Sequence, residues 1–337
     1  MDINELARRG GVSAATVSRA LNGRAEVSAE TRRRILELAE ELGYHPNASA
    51  RTLARQRSNT VGLIWDTGYR SGGQRHPFLQ DLMVGLKEAL SARGYALILL
   101  PIPADDRPEA YLRLARAHNL EGVLVMGIDE RTPQVEALVA AADLPCVAID
   151  LAVSGPRSSY VTSDNHSGAA AAVEHLYRLG HRRIATITGP LDMKPSAERL
   201  AGYRNRLAAH RLAEPAGYVV EGDFFPASGF AAMRRLLALD EPPTAVFVAG
   251  DAMAVAAIHA ADEAGRAVPY DVAVIGFDDI DAAALMRPAL TTVAQDIDGF
   301  GDAAVSTLAT LISRPDPVPP VVLPTRLVVR ESCGAPT

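Results

Sequence analysis

The chain has 337 residues, of which 48% are hydrophobic, and this is enough for a small head and a larger body with its own buried core. No apolar run approaches the length of a membrane-spanning helix, and the only two cysteines, Cys146 and Cys333, indicate neither a disulfide framework nor a zinc site. The net charge of −6 is unevenly divided along the chain. Ten arginines and seven acidic residues precede position 59, so the head carries a charge of +3 and the remainder carries −9.

Residues 3–22 predict two short helices that meet at a tight turn at Gly10 and Gly11. Ser13 is suited to cap the second helix, because its hydroxyl can accept a hydrogen bond from an unpaired backbone N–H. Val17, Ala20 and Leu21 have the spacing of a buried stripe, which leaves an outward face of Ala14, Ala15, Ser18 and Arg19. Short side chains followed by one arginine suit the base edges of a DNA major groove. A helical hairpin that merely packs is the alternative.

A third helix begins after Ser28, buries Ile35, Leu38, Ala39 and Leu42 on one face, and ends at Gly43 and Pro46. Residues 47–59 are basic and could form about two helical turns, which are marginal by themselves in water. We therefore expect a hinge helix that orders when DNA and a symmetry mate hold it. A plain flexible tether is the alternative.

Several segments of the head and hinge form a specific combination: Gly11-Val-Ser13, Thr16-Val-Ser-Arg19, Leu21-Asn22, Leu42-Gly-Tyr44-His-Pro46-Asn47 and Ala50-Arg51-Thr-Leu53. In this combination the sequence resembles the lactose-repressor family of bacterial transcription regulators. The resemblance implies that Leu53 acts as an apolar wedge between base pairs in the minor groove. It also implies contact with operator DNA by Ser13, Ala14, Ala15, Thr16, Ser18, Arg19, Asn22, Tyr44, Asn47, Ala50, Arg51 and Leu53.

From residue 60 onward, short apolar strands alternate with amphipathic helices. This alternation predicts an α/β body with parallel sheets covered on both faces. We predict strands at 61–65, 96–100, 122–126, 146–149, 184–187, 218–220, 245–248 and 272–275. The intervening helices are predicted at 78–93, 108–119, 133–142, 166–179, 196–210, 226–238 and 251–264. Two successive sets of this kind suggest two lobes with a cleft between them.

The body carries the segments Leu179-Gly-His-Arg-Arg-Ile184, Arg199-Leu-Ala-Gly-Tyr203, Val268 to Asp279 and Leu290-Thr-Thr-Val293. Over residues 60–330 it resembles periplasmic sugar-binding proteins and the matching core of the repressor family. The resemblance implies crossings between the lobes near 161–163, 289–293 and 320–323. The expected division is a helix-turn-helix domain at 1–46, a hinge at 47–59, a first lobe at 60–161 and 293–321, and a second lobe at 162–292 and 322–331.

Ligand groups are expected at strand ends that face the cleft. The resemblance, together with position, assigns ligand binding to Trp65, Asp66, His76, Phe78, Asp150, Arg199, Asp278 and Gln295. A guanidinium donor and a carboxylate acceptor suit a polyhydroxylated sugar, although Arg199 and Asp278 could instead form a salt bridge between the lobes. Trp65 could equally be a core residue.

Two departures from the family bear on the ligand. Residues 68–75 lengthen the loop before His76, and Gly250 replaces an asparagine that often hydrogen-bonds sugar in lactose-type repressors. We therefore expect a sugar or oligosaccharide held differently, with a nucleobase or another small metabolite as the alternative.

The sequence as a whole predicts a ligand-responsive repressor that binds a near-palindromic operator as a homodimer. Neither a catalytic constellation nor metal-ligand spacing is apparent, so we expect no enzyme activity, no cofactor and no metal. The first residues lack the pattern of a secretory signal, which favours a cytoplasmic location without membrane association over a secreted solute-binding protein.

Overall fold

The structure is a computed structural model that describes residues 2–21, 26–44, 57–65, 76–101, 103, 107–127, 132–314 and 316–334. The chain divides into two compact units, Met1–Asn59 and Thr60–Thr337. None of the helices within the described ranges has the length and apolar character needed to span a bilayer.

The first unit contains three helices: α1 (Ile3–Gly10), α2 (Ala14–Leu21) and α3 (Ala29–Glu41). Asp2 caps α1 by accepting hydrogen bonds from the backbone N–H groups of Asn4 and Glu5 at 3.0 and 2.9 Å. Gly11 ends this helix in the left-handed region, with φ of 65°. The three helices bury a small common core of Leu6, Ala7, Val17, Ala20, Val27, Ile35 and Ala39.

The second unit contains two six-stranded sheets. The first sheet is entirely parallel and has the order β11-β5-β4-β3-β1-β2. Its strands are β1 (Thr60–Trp65), β2 (Ala96–Leu99), β3 (Gly122–Met126), β4 (Cys146–Ile149), β5 (Ser158–Ser163) and β11 (Val321–Leu323).

The second sheet has the order β12-β10-β9-β8-β6-β7 and is parallel except for β12, which runs antiparallel to β10 at one edge. Its strands are β6 (Ile184–Thr188), β7 (Val219–Glu221), β8 (Ala245–Val248), β9 (Ala273–Asp278), β10 (Thr291–Ala294) and β12 (Arg326–Val328). The expectation of an α/β body with parallel sheets is confirmed.

Helices cover both faces of each sheet. The first lobe carries α4 (Pro77–Ala92), α5 (Ala110–Ala117), α6 (Pro133–Ala140) and α12 (Ile297–Ser313). The second lobe carries α7 (Asn165–Arg178), α8 (Lys194–Ala209), α9 (Pro226–Leu237), α10 (Asp251–Glu263) and α11 (Asp281–Leu285).

The apolar runs of the strands follow from this two-sided cover. In β3, Val123 and Val125 belong to one apolar cluster, whereas Leu124 and Met126 belong to the cluster on the opposite face. Side chains alternate between the faces of a strand, so a strand covered on both sides needs apolar residues at every position.

The chain crosses between the lobes three times, and each crossing lies slightly beyond its predicted position. β5 extends to Ser163 and β10 to Ala294, so the first two crossings fall at Asp164 and at Gln295–Asp296. The third lies at residues 324–325, between β11 and β12. The strands continue through the predicted crossings because Val161 and Val293 are paired in the sheets and fully buried.

Candidate functional site

The second helix of the first unit exposes only part of the face that the sequence predicted to point outward, because Ala14 packs partly against the core of the three helices. The hydroxyl of Ser13 accepts a hydrogen bond from the backbone N–H of Thr16 at 3.1 Å, and Val17 is buried beneath the helix. Ala15 and Arg19 are exposed, while Ala14, Thr16 and Ser18 are partly buried. Tyr44 packs partly against the core of the three helices. Five further predicted DNA contacts lie outside the described residues: Asn22, Asn47, Ala50, Arg51 and Leu53.

Arg19 has a neighbour that the sequence pattern did not indicate. Its Nε lies 3.2 Å from Oε2 of Glu26, and the two side chains are 50% and 67% exposed. An exposed ion pair of this kind contributes little to stability. Arg19 can therefore exchange this carboxylate for another acceptor at small energetic cost.

The second unit contains a cleft between its lobes, with about 620 Å³ of empty space when the open solvent at its mouth is included. Six of the predicted ligand residues line it: His76, Phe78, Asp150, Arg199, Asp278 and Gln295. Trp65 is not among the described residues that line the cleft and instead packs against the apolar cluster of the first lobe. The geometry thus supports its alternative assignment as a core residue. Asp66 lies outside the described residues.

Arg199, on α8, is held firmly at the base of the cleft. Its Nε donates to Oδ1 of Asn165 at 2.8 Å, and its Nη1 donates to the backbone oxygen of Ala249 at 2.6 Å. The guanidinium carbon lies 3.7 Å from the ring centre of Phe277. Fixed acceptors and a stacked ring orient a guanidinium without leaving it free to rotate.

Asp278 ends β9 and faces Arg199 at the cleft. Its Oδ1 accepts a hydrogen bond from Nε2 of Gln295 at 2.8 Å, and Gln295 in turn accepts one from the hydroxyl of Ser163 at 2.7 Å. Ser163 belongs to the first sheet and Asp278 to the second. The carboxylate is therefore connected to both lobes through a single glutamine.

Asp150 follows β4 and contributes a second carboxylate from the first lobe. Its Oδ1 accepts a hydrogen bond from the hydroxyl of Thr162 at 2.7 Å. Asn165 donates to the same hydroxyl at 3.3 Å, which links Asp150 to the partners of Arg199. The base of the cleft is thus a continuous polar network.

Burial governs the protonation of these groups. Removal from water raises the pKa of Asp278 to about 6, although Arg199 opposes the shift. Burial also raises the pKa of Asp150 and lowers that of Arg199. Asp251, fully buried beside Asp278, has its pKa raised by burial and then by the negative charge of Asp278. The sequence analysis did not single out Asp251, which accepts a hydrogen bond from the hydroxyl of Thr292 at 2.6 Å.

Aromatic side chains form the other side of the cleft, and the sequence analysis missed two of them, Phe224 and Phe225. The ring of His76 meets Phe78, Phe224 and Phe225 edge-to-face, with ring centres 6.5, 6.3 and 5.9 Å apart. We call these four side chains the aromatic wall. The two missed phenylalanines follow β7, so the rule that ligand groups lie at strand ends could have found them.

Two glycines leave room for the ring of Phe224. A Cβ on Gly189 would lie 2.2 Å from Cζ of Phe224, and a Cβ on Gly250 would lie 3.2 Å from its Cδ1. Phe224 itself has φ of 68°, a strained conformation for a residue with a side chain. The glycine at position 250, which the sequence marked as a departure, therefore borders an aromatic ring.

Comparisons with known proteins agree with this architecture. A profile described as "Bacterial regulatory proteins, lacI family" matches residues 2–47, and one described as "Periplasmic binding protein-like domain" matches residues 173–333. The chain is 35% identical over 314 residues to the ribose operon repressor of Escherichia coli (strain K12), and the match covers 93% of both proteins.

Solved structures resemble the chain over nearly its whole length, among them the following two. One, a complex of the transcriptional regulator CelR with cellobiose, has a TM-score of 0.74 and 35% identity, covering 98% of this chain and 99% of the other. The other is the lac repressor dimer bound to operator and the anti-inducer ONPF, with a TM-score of 0.84, 28% identity and 99% of each chain covered. The chain belongs to the lactose-repressor family of bacterial regulatory proteins.

Proposed function

We propose that this protein is a ligand-responsive transcriptional repressor that binds a near-palindromic operator as a homodimer and controls genes of carbohydrate uptake or metabolism. The observation that carries the proposal is the presence, in one chain, of a helix-turn-helix unit with an exposed arginine and a cleft with fixed polar groups. The first suits a DNA major groove, and the second suits a small ligand. Such a regulator acts in the cytoplasm, and we propose no enzymatic activity for it.

A sugar or oligosaccharide is the proposed effector. Carboxylates accept hydrogen bonds from hydroxyl groups, and a guanidinium donates to their oxygens, so Asp150, Asp278 and Arg199 together suit a polyhydroxylated ring. The ribose operon repressor and the CelR complex with cellobiose, both similar to this chain, support the same class. The phenylalanines of the aromatic wall also suit a planar nucleobase, which is the second candidate.

On the DNA side, the proposed contacts are the exposed face of α2 and the hinge. We propose that DNA is contacted by Ser13, Ala14, Ala15, Thr16, Ser18 and Arg19, and also by Asn22 and Tyr44. Asn47, Ala50, Arg51 and Leu53 belong to the hinge, and Leu53 is proposed to unstack a central base step. Leu53→Ala is then expected to weaken operator binding and to reduce DNA bending in a circular-permutation assay.

We propose that effector binding and operator binding are linked by a coupling free energy. Effector binding changes the closure of the lobes, and the hinge at residues 47–59 transmits this change to the head. The polar network supports this link, because it contains groups from both lobes: Ser163, Gln295 and Asp278 are joined to Asp150 through Thr162 and Asn165.

Fluorescence anisotropy with the full-length protein tests the proposal. The probe is the DNA upstream of the chain's own coding region, with random DNA of equal length as competitor. We expect specific binding with two chains per site, and a shift in operator affinity when an effector found by a thermal-shift screen is added. Equal affinity for both DNAs, together with effector binding, would instead favour a cytoplasmic solute-binding protein.

A further inference from the structure

The cleft has two chemically different halves. One half is polar and is formed by Asp150, Arg199, Asp278 and Gln295. The other is the aromatic wall of His76, Phe78, Phe224 and Phe225, extended by the apolar side chains of Leu79, Met193 and Pro195. A single sugar ring held by the polar groups would use one half only. The ligand that matches the whole cleft has a second unit with an apolar face.

The aromatic wall contains residues of both lobes. His76 and Phe78 belong to the start of α4 in the first lobe, whereas Phe224 and Phe225 precede α9 in the second. Asp223 fixes the second pair, because its Oδ1 accepts the backbone N–H of Phe225 at 2.9 Å. A ligand unit at this wall therefore contacts both lobes.

The charged groups that line the cleft disfavour an anionic ligand. Among the residues that the structure describes, these are three carboxyl groups, of Asp150, Asp223 and Asp278, and one guanidinium, of Arg199. Nη1 of Arg199 already lies 3.8 Å from Oδ1 of Asp278. A phosphate or an additional carboxylate would thus meet an excess of negative charge in a poorly solvated site. A neutral ligand meets no such penalty.

His76 offers a polar group within the otherwise apolar half. It precedes α4 but makes no side-chain cap, and its buried Nδ1 has no hydrogen-bond partner among the described residues. Burial, followed by the positive charge of Arg199, lowers the pKa of His76 to about 4. The imidazole is therefore neutral near pH 7, with one nitrogen that donates and one that accepts. Buried polar atoms normally have partners, so a ligand hydroxyl is the natural one for Nδ1.

We propose that the effector is a neutral glycoside of two units, with one polyhydroxylated ring at Asp150, Arg199 and Asp278 and a second unit stacked on the aromatic wall and hydrogen-bonded to Nδ1 of His76. This inference rests on the proposed function, which assigns the cleft to an effector.

Isothermal titration calorimetry on the full-length protein tests the ligand class with matched probes. The neutral pairs are cellobiose with methyl β-glucoside, maltose with methyl α-glucoside, and lactose with methyl β-galactoside, together with the phenyl glycosides of the same sugars. Glucose 6-phosphate, glucuronic acid and hypoxanthine complete the set. We expect one two-unit glycoside to bind at least tenfold more tightly than its methyl glycoside and than every charged probe. Tighter binding of a phosphorylated sugar, an acid or the nucleobase, or binding by none of the two-unit glycosides, overturns the inference.

Variants of the wall test the placement of the second unit. Phe225→Ala and His76→Phe should each reduce the tenfold advantage to threefold or less, because the first removes a stacking surface and the second removes Nδ1 while keeping an aromatic ring. His76→Asn should retain more of the advantage, since its amide can replace the hydrogen bond. The control is Tyr270→Ala, which removes a 90% exposed ring outside the cleft and should keep the full advantage. Melting temperatures establish that each variant is folded.

Operator anisotropy without effector separates this inference from the proposed function. If the protein shows the preference for a two-unit glycoside but no preference for its operator, the proposed function fails and the ligand class stands. If operator binding is specific while His76→Phe and Phe225→Ala keep the full advantage, the placement at the aromatic wall is wrong and the proposed function stands.

Discussion

Nη1 of Arg199 lies 3.8 Å from Oδ1 of Asp278, and both side chains belong to the second lobe. The sequence left open that Arg199 and Asp278 form a salt bridge between the lobes, and this alternative is therefore wrong. The shorter contacts of Arg199 are with Asn165 and Ala249. The guanidinium thus keeps its orientation by hydrogen bonds that do not involve Asp278, and this leaves the carboxylate able to serve a ligand.

Asp278→Asn is expected to abolish the response of operator binding to effector while leaving operator affinity in its absence unchanged. The asparagine can still accept from Gln295, so the free energy of unfolding should fall by less than about 2 kcal/mol. Calorimetry measures effector binding, operator anisotropy measures operator affinity with and without effector, and thermal melting measures stability. A large loss of stability with an intact effector response would assign Asp278 a structural role instead.

Gly189→Ala should destabilise the second unit by about 1–3 kcal/mol, because the added Cβ would lie 2.2 Å from Cζ of Phe224 and force the ring to move. Effector affinity should fall with it. In a Phe224→Ala background the same substitution should cost much less, since the obstructing ring is gone. Chemical denaturation of the four proteins of this double-mutant cycle measures the coupling. Equal costs in both backgrounds would show that Gly189 is required for another reason.

His76 should make stability depend on pH. Its pKa is lowered from 6.5 to about 4 in the folded protein, so between these values the unfolded chain binds a proton that the folded chain does not. The contribution of His76 to the free energy of unfolding is complete above pH 6.5 and declines as the pH falls towards 4. At pH 5 the free energy of unfolding has lost about 2 kcal/mol of this contribution.

The raised pKa of Asp278 acts in the opposite direction, because stability then increases as the pH falls through about 6. The pH profile of the wild type must therefore be compared with that of a variant that lacks only the imidazole. His76→Gln should lose less stability than the wild type between pH 7 and pH 5. His118→Gln, at an exposed position, is the matched control and should follow the wild type. Parallel pH profiles of wild type and His76→Gln would contradict the assigned burial of the imidazole.

Arg19→Ala should weaken binding to the operator by about 1–3 kcal/mol and relax sequence preference at one position in each half-site. The reason is its exposed position on α2, where, among the described residues, a weak pair with Glu26 competes for the guanidinium. Binding to random DNA should change much less. Arg33→Ala, which removes another exposed arginine, on α3, controls for net charge. An equal loss on both DNAs would identify Arg19 as a phosphate contact.

The sequence by itself determined the local elements and the family. The buried stripe of Val17 and Ala20, the cap at Ser13 and the apolar runs of the central strands depend on neighbours a few residues apart, so their periodicity can be read directly. The resemblance assigned Asp150, Arg199, Asp278 and Gln295 to the ligand site, and all four line the cleft.

Only the tertiary structure decided which distant residues meet. His76 contacts Phe224 and Phe225 although about 150 positions separate them, and no local pattern encodes that contact. The sequence likewise left undecided whether Trp65 packs against the apolar cluster of the first lobe and whether Arg199 and Asp278 lie on the same lobe. Packing also sets the pKa of His76 and of Asp278, because desolvation depends on everything that surrounds a group in three dimensions and not on its neighbours in the chain.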